Sequence, residues 1–125
     1  MSSGRDSDDV LDVQQIDELR ELAEEMGDPA FLVRLIDQYL RDAASRMAEL
    51  QEATARRDAP ALAVAAHALK GGSATMGAKR MAALCADLEA AGRRGELPGP
   101  DELARLSTEL QLAAAALQAQ PPGAP

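Results

Sequence analysis

Apolar residues along this chain recur at the three- and four-residue intervals of helices. Acidic caps, prolines and glycines cut that pattern into one short and four longer segments. The first opens at Asp12, an N-cap with Gln15 three residues on, and puts Ile16, Leu19, Leu22 and Ala23 on one face before Gly27 closes it. Asp28-Pro29 restarts the chain as an N-cap followed by proline at the first helical position. The second segment then runs from about Pro29 to Arg57, with Leu32, Leu35, Ile36, Tyr39, Ala43, Met47 and Leu50 inward. Its outer face carries Arg34, Arg41, Glu49 and Glu52, and Phe31 is expected to plug one end of the core. Asp58 and Pro60 start a third helix, which reaches Met76 with Gly77 as its C-terminal cap. A fourth runs from about Ala78 to Arg94, with Met81, Leu84, Cys85, Leu88 and Ala91 inward, and ends at Gly95. Pro98-Gly99-Pro100 makes a turn. The fifth spans about Asp101 to Gln118 and buries Leu103, Leu106, Leu110, Ala113 and Leu117.

Short connections make neighbouring helices antiparallel. The pattern therefore predicts an all-α fold, an up-down antiparallel four-helix bundle with an additional short N-terminal helix across one end. Residues 1–9 read as a disordered acidic leader, 10–120 as the bundle domain and 121–125 as a disordered tail.

Composition agrees with helices packed closely through small side chains. Apolar residues make up 46% of the chain but aromatics only 2%, and β-branched clusters that would mark strands are missing. The net charge of −8 argues against nucleic acid and against anionic membrane surfaces. No apolar run approaches the ~18 residues of a membrane span, and the polar start is no signal peptide. A single cysteine, Cys85, cannot form an internal disulfide, which points to a reducing cytoplasm.

The informative stretch is His67-Ala68-Leu69-Lys70-Gly71-Gly72-Ser73-Ala74-Thr75-Met76-Gly77-Ala78, which holds the one histidine. On a helical wheel Leu62, Ala66, Leu69, Ser73 and Met76 form the core stripe, and His67 lies ~140° from Leu62. Ser73 is therefore structural, its hydroxyl expected to bond back along the helix. Lys70 and Gly71 are surface neighbours of His67, and Ala63 and Ala74 fall on the same side. Glycine inside a helix costs roughly 1 kcal/mol relative to alanine. Two together suggest a gain in clearance, letting another macromolecule bring its active site to the imidazole. Spacing alone leaves a second reading open, in which the glycines end the helix and His67 is an ordinary solvated residue.

Other chemistry is poorly served. A metal site needs three or four converging ligands, and one histidine and one inward cysteine do not supply them. Cofactor-binding residues are not found, and no glycine-rich phosphate loop for ATP is present. The many carboxylates read as solvating charge on outward helix faces. A neutral imidazole nitrogen can attack a phosphoryl group activated elsewhere, with Lys70 neutralising its charge.

The same stretch resembles the signature of histidine-containing phosphotransfer (Hpt) domains, matching at His67, Leu69, Lys70, Gly71, Ser73, Ala74, Met76, Gly77 and Ala78. Leu84 through Glu89, ending in Arg93-Arg94-Gly95, resembles the family's next helix, and Gly27-Asp28-Pro29-Ala30-Phe31-Leu32 its approach to the long helix. The likeness covers about residues 12 to 118, and Gly72 stands where serine is more usual. It implies a two-component phosphorelay protein without ATP-dependent kinase activity. His67 would be the phosphoacceptor at the nitrogen distal to the backbone, Lys70 the stabilising cation and Gly71 the source of clearance. Partners would be receiver domains of response regulators or a hybrid histidine kinase, docking on Ala63, Lys70, Gly71 and Ala74. The receiver would bring Mg²⁺, and the first helix would contribute to docking. The Met1 start and the absence of a receiver sequence favour a free-standing protein, and a monomer is expected. Three alternatives stand beside this reading: a binding module that docks a receiver or kinase without being phosphorylated, the phosphotransfer domain of a chemotaxis-type kinase, and a purely structural bundle.

Overall fold

The computed structural model describes residues 10–121, and the acidic leader and the last four residues of the tail lie outside them. Five helices follow in order: α1 Val13–Glu25, α2 Phe31–Ala55, α3 Ala59–Thr75, α4 Lys79–Arg93 and α5 Pro100–Gln118. Strands are absent among the described residues, as the apolar spacing predicts. Contacts join α2 to α3, α3 to α4, α4 to α5 and α5 back to α2, the closed ring of a four-helix bundle. No helix among the described residues is long and apolar enough to cross a membrane.

α1 is tied to one end of the ring. Asp12 caps it by accepting from Gln15 N at 3.4 Å, while Asp12 N donates to Gly77 O at 2.7 Å. Gln15 does not return the capping bond; its Nε2 donates to Thr75 O at 2.8 Å. The side chain thus satisfies an end carbonyl of α3 instead of its own N-terminus. At the far end of α1, Arg20 donates to Gln120 Oε1 at 3.2 Å. Leu11 and Ile16, the positions of a hydrophobic staple around the Asp12 cap, are both buried in the core. Leu22 turns outward instead of joining that face.

Helix ends follow the punctuation, with both ends of α2 adjusted. Asp28-Pro29-Ala30 forms a turn, so α2 begins at Phe31 instead of Pro29. Its other end falls at Ala55, before Arg57 adopts a left-handed φ of 57°. Phe31 is half-buried at the rim of a surface groove with Arg34, Leu35 and Arg41 instead of plugging the core. Gly77 leaves α3 at φ +73°, with a would-be Cβ only 3.0 Å from Asp12 O. Both the backbone conformation and the passing chain therefore require glycine there.

Inside the ring, Leu32, Ile36, Tyr39, Met47 and Leu50 of α2 meet Leu62, Ala66 and Leu69 of α3, Met81, Cys85 and Leu88 of α4, and Leu106 and Leu117 of α5. Leu84, Leu103, Leu110 and Ala91 are only half-buried. Two carboxylates break the apolar pattern: Glu89 on α4 and Glu109 on α5 are both buried. Arg80 meets Glu109 at 2.5 Å and joins α4 to α5.

Candidate functional site

α3 and α4 run antiparallel and close together because small residues face each other. A Cβ added at Gly92 would lie 3.0 Å from Ala59 O and 3.1 Å from Ala63 Cβ. This approach sets the register that brings Glu89 of α4 beneath His67 and Lys70 of α3. Glu89 follows Cys85 by one helical turn, so its carboxylate emerges at the edge of the α4 core stripe.

The Glu89 carboxylate is the hub of the site. Lys70 Nζ donates to Oε1 at 2.6 Å, Arg93 donates to Oε2 at 2.5 Å, and His67 Nδ1 lies 2.8 Å from Oε2. The Glu89 side chain is 6% exposed and the imidazole 65%. The hydrogen bond from Lys70 is the largest influence on the carboxyl, with the His67 bond and the Arg93 charge adding to it. Together they outweigh desolvation and hold Glu89 below the ordinary carboxylate range. An ionised carboxylate only accepts hydrogen bonds, so Nδ1 carries the ring proton. Nε2 has no partner among the described residues, so in the neutral ring it is the nitrogen left with the lone pair.

The predicted site residues are not all on this surface. His67, Gly71 and Ala74 are exposed and Lys70 is half-buried. Gly71 and Gly72 both lie within α3 and do not end it. A Cβ at Gly71 meets nothing within 4 Å, so the glycine leaves space outside the helix and relieves no internal crowding. At Gly72 a Cβ would touch the Tyr39 ring at 3.6 Å, an ordinary contact. Ala63 departs from its expected position. It is 8% exposed and packs under Gly92 of α4, so it offers a partner little surface. Val64, one turn before His67, is 70% exposed and supplies an apolar surface instead. Val64, His67, Ala63 and Arg93 line one shallow depression.

Ser73 is fully buried, as its phase requires, but its hydroxyl pairs across helices with Tyr39 OH at 2.7 Å. Thr75 instead makes the backward bond along α3, to Gly71 O. Sequence reasoning missed Glu89 and Arg93 as site residues by treating carboxylates as solvating. The available signal was the spacing Met81, Cys85, Leu88, Glu89, which places a carboxylate on a core stripe with Arg93 one turn on. Among the described residues no three of His, Cys, Asp and Glu cluster as metal ligands. Cys85 is fully buried, its thiol pushed up to about 12 by desolvation, and stands apart from nucleophilic chemistry.

The arrangement can hold a nucleophilic nitrogen outward beside two cations. A family model for the Hpt domain matches residues 34–120. Among solved structures, histidine-containing phosphotransfer protein B (HptB) from Pseudomonas aeruginosa PAO1 is 33% identical, with a TM-score of 0.78 over 87% of this chain and 91% of that one. The yeast phosphorelay protein YPD1 is 23% identical, with a TM-score of 0.65 over 86% of this chain and 84% of that one, a likeness of fold. Comparison with curated protein sequences gives no significant match.

Proposed function

The chain belongs to the Hpt domain family and is a histidine phosphotransfer protein, and from that premise we propose that Nε2 of His67 carries the phosphoryl group. The observation that supports this assignment is the 2.8 Å contact between Nδ1 and the buried Glu89 carboxylate. It selects the tautomer whose outward nitrogen is nucleophilic.

In the proposed reaction the phosphoryl group arrives as the carboxyl phosphate of a receiver-domain aspartate. The Nε2 lone pair attacks phosphorus as the bond to the aspartate oxygen breaks, and that oxygen keeps its electron pair. Lys70 and Arg93, 35% and 69% exposed, can reach from Glu89 toward the transferred oxygens. Such charge stabilisation is the main demand of phosphoryl transfer. Mg²⁺ would be supplied by the receiver. Gly71 keeps the face beside His67 free of side chains, and Val64 and Ala74 border it. Onward transfer to a second receiver reverses the same steps.

The test is labelling of the chain by a phosphorylated receiver domain. His67→Gln is expected to abolish acid-labile labelling with the helical circular dichroism unchanged. Binding of the receiver with no transfer to His67 would instead support the non-phosphorylated docking module.

A further inference from the structure

We infer that the Glu89 carboxylate keeps Nδ1 of His67 protonated after phosphorylation, so that the phosphohistidine stays poised to give its phosphoryl group away. This deepens the carrier reading above and rests on it.

When Nε2 bonds to phosphorus, the ring becomes an imidazolium bearing its proton on Nδ1. If that proton is lost to water, the ring becomes neutral and a poor donor. Breaking its N–P bond would return the electron pair to a ring already lacking the proton and release imidazolate. If the proton stays, the N–P bond breaks with its pair going to Nε2, and a neutral imidazole departs. No proton then needs to arrive or leave in either direction of transfer.

Glu89 is the group in direct contact with Nδ1, and it is placed to hold that proton. Its carboxylate lies 2.8 Å from Nδ1 and is shielded from water, with a side chain 6% exposed. An opposite charge so close favours the charged form of the ring. The other charges facing Glu89 are Lys70 from α3 and Arg93 one turn along α4. Both would expel a proton from the ring if uncompensated. Both are paired to Glu89, and their exposure lets them turn to the incoming phosphoryl oxygens. They also keep the carboxyl ionised, so it accepts from Nδ1 instead of competing for the proton.

The experiment uses the full chain labelled with ¹⁵N-histidine and phosphorylated by phosphoramidate. Protonation of Nδ1 is followed by ¹⁵N NMR across pH. The wild-type midpoint is expected to lie about one to three pH units above that of Glu89→Gln, which preserves an acceptor oxygen but removes the charge. It is also expected to lie above the midpoint of the same phosphorylated chain unfolded in urea, a comparison that needs no variant. Coincidence of the folded and unfolded midpoints, or of wild type and Glu89→Gln, would overturn the inference while leaving His67 as the carrier. Failure of His67 to become phosphorylated would overturn the carrier reading and this inference with it.

Discussion

Replacing Gly71 and Gly92 by alanine, one at a time, separates helix propensity from packing between helices. Both glycines lie inside helices, Gly71 in α3 and Gly92 in α4. Each substitution therefore gains about 1 kcal/mol of propensity. At Gly71 the new methyl meets no heavy atom within 4 Å, so the whole gain is kept. At Gly92 it meets Ala59 O at 3.0 Å, Ala63 Cβ at 3.1 Å and Ala63 N at 3.1 Å. Two of those three atoms are backbone and cannot rotate away, so α3 and α4 must part. Overpacking of that kind costs about 1–3 kcal/mol. Gly71→Ala is thus expected to be stabilising by about 1 kcal/mol, a rise in Tm of roughly 2–8 °C. Gly92→Ala should range from neutral to about 2 kcal/mol destabilising. Urea denaturation followed by far-UV circular dichroism measures both. Equal stabilisation by the two substitutions would refute the close approach that sets the His67–Glu89 register. Loss of stability in Gly71→Ala would refute the open space beside His67.

Three further outcomes follow from other contacts. Tyr39→Phe and Ser73→Ala each leave one hydroxyl of the 2.7 Å pair without its partner in the core. Each should cost about 1–3 kcal/mol in urea denaturation, and the double variant should lose less than the sum. Glu89 has a folded-state pKa below its ordinary 4.5, so its contribution is complete above that value and lost as pH falls through the folded value. The stability gap between wild type and Glu89→Gln should therefore shrink from neutral pH to about pH 3, and a gap that widens would contradict the ion cluster. Cys85, buried and pushed up to about 12, should resist a thiol reagent in the native chain and react on unfolding. Rapid native modification would place the thiol outside the core.

Much of this fold was legible because its stops are chemically explicit. Asp12, Asp58, Gly77 and Gly95 each act in the structure where the sequence places them, as cap or terminator. Asp28-Pro29 reads as a helix start, but an acid before proline serves a turn as well, and here it makes the turn, so the helix begins at Phe31. Val10 and Leu11 are buried yet show no periodicity, since two residues before a cap are too few to carry one. His67, Lys70 and Gly71 were readable as surface neighbours from a single helix. Glu89 was not, because its role depends on which helix packs against α3 and in what register. Gly92 sets that register through contacts across two helices, and one helical wheel cannot display them. Ala63 was misplaced for the same reason: its wheel position is outward only until α4 covers it. The Tyr39–Ser73 bond likewise joins residues 34 apart, beyond the reach of local spacing.

The most direct measurement is the position of the phosphoryl group itself, read by ³¹P and ¹⁵N NMR on the phosphorylated chain. The account predicts one acid-labile phosphoryl group on Nε2 of His67, with the proton on Nδ1, and none in a folded His67→Gln chain. A phosphoryl group on Nδ1, or labelling that persists in His67→Gln, would contradict it.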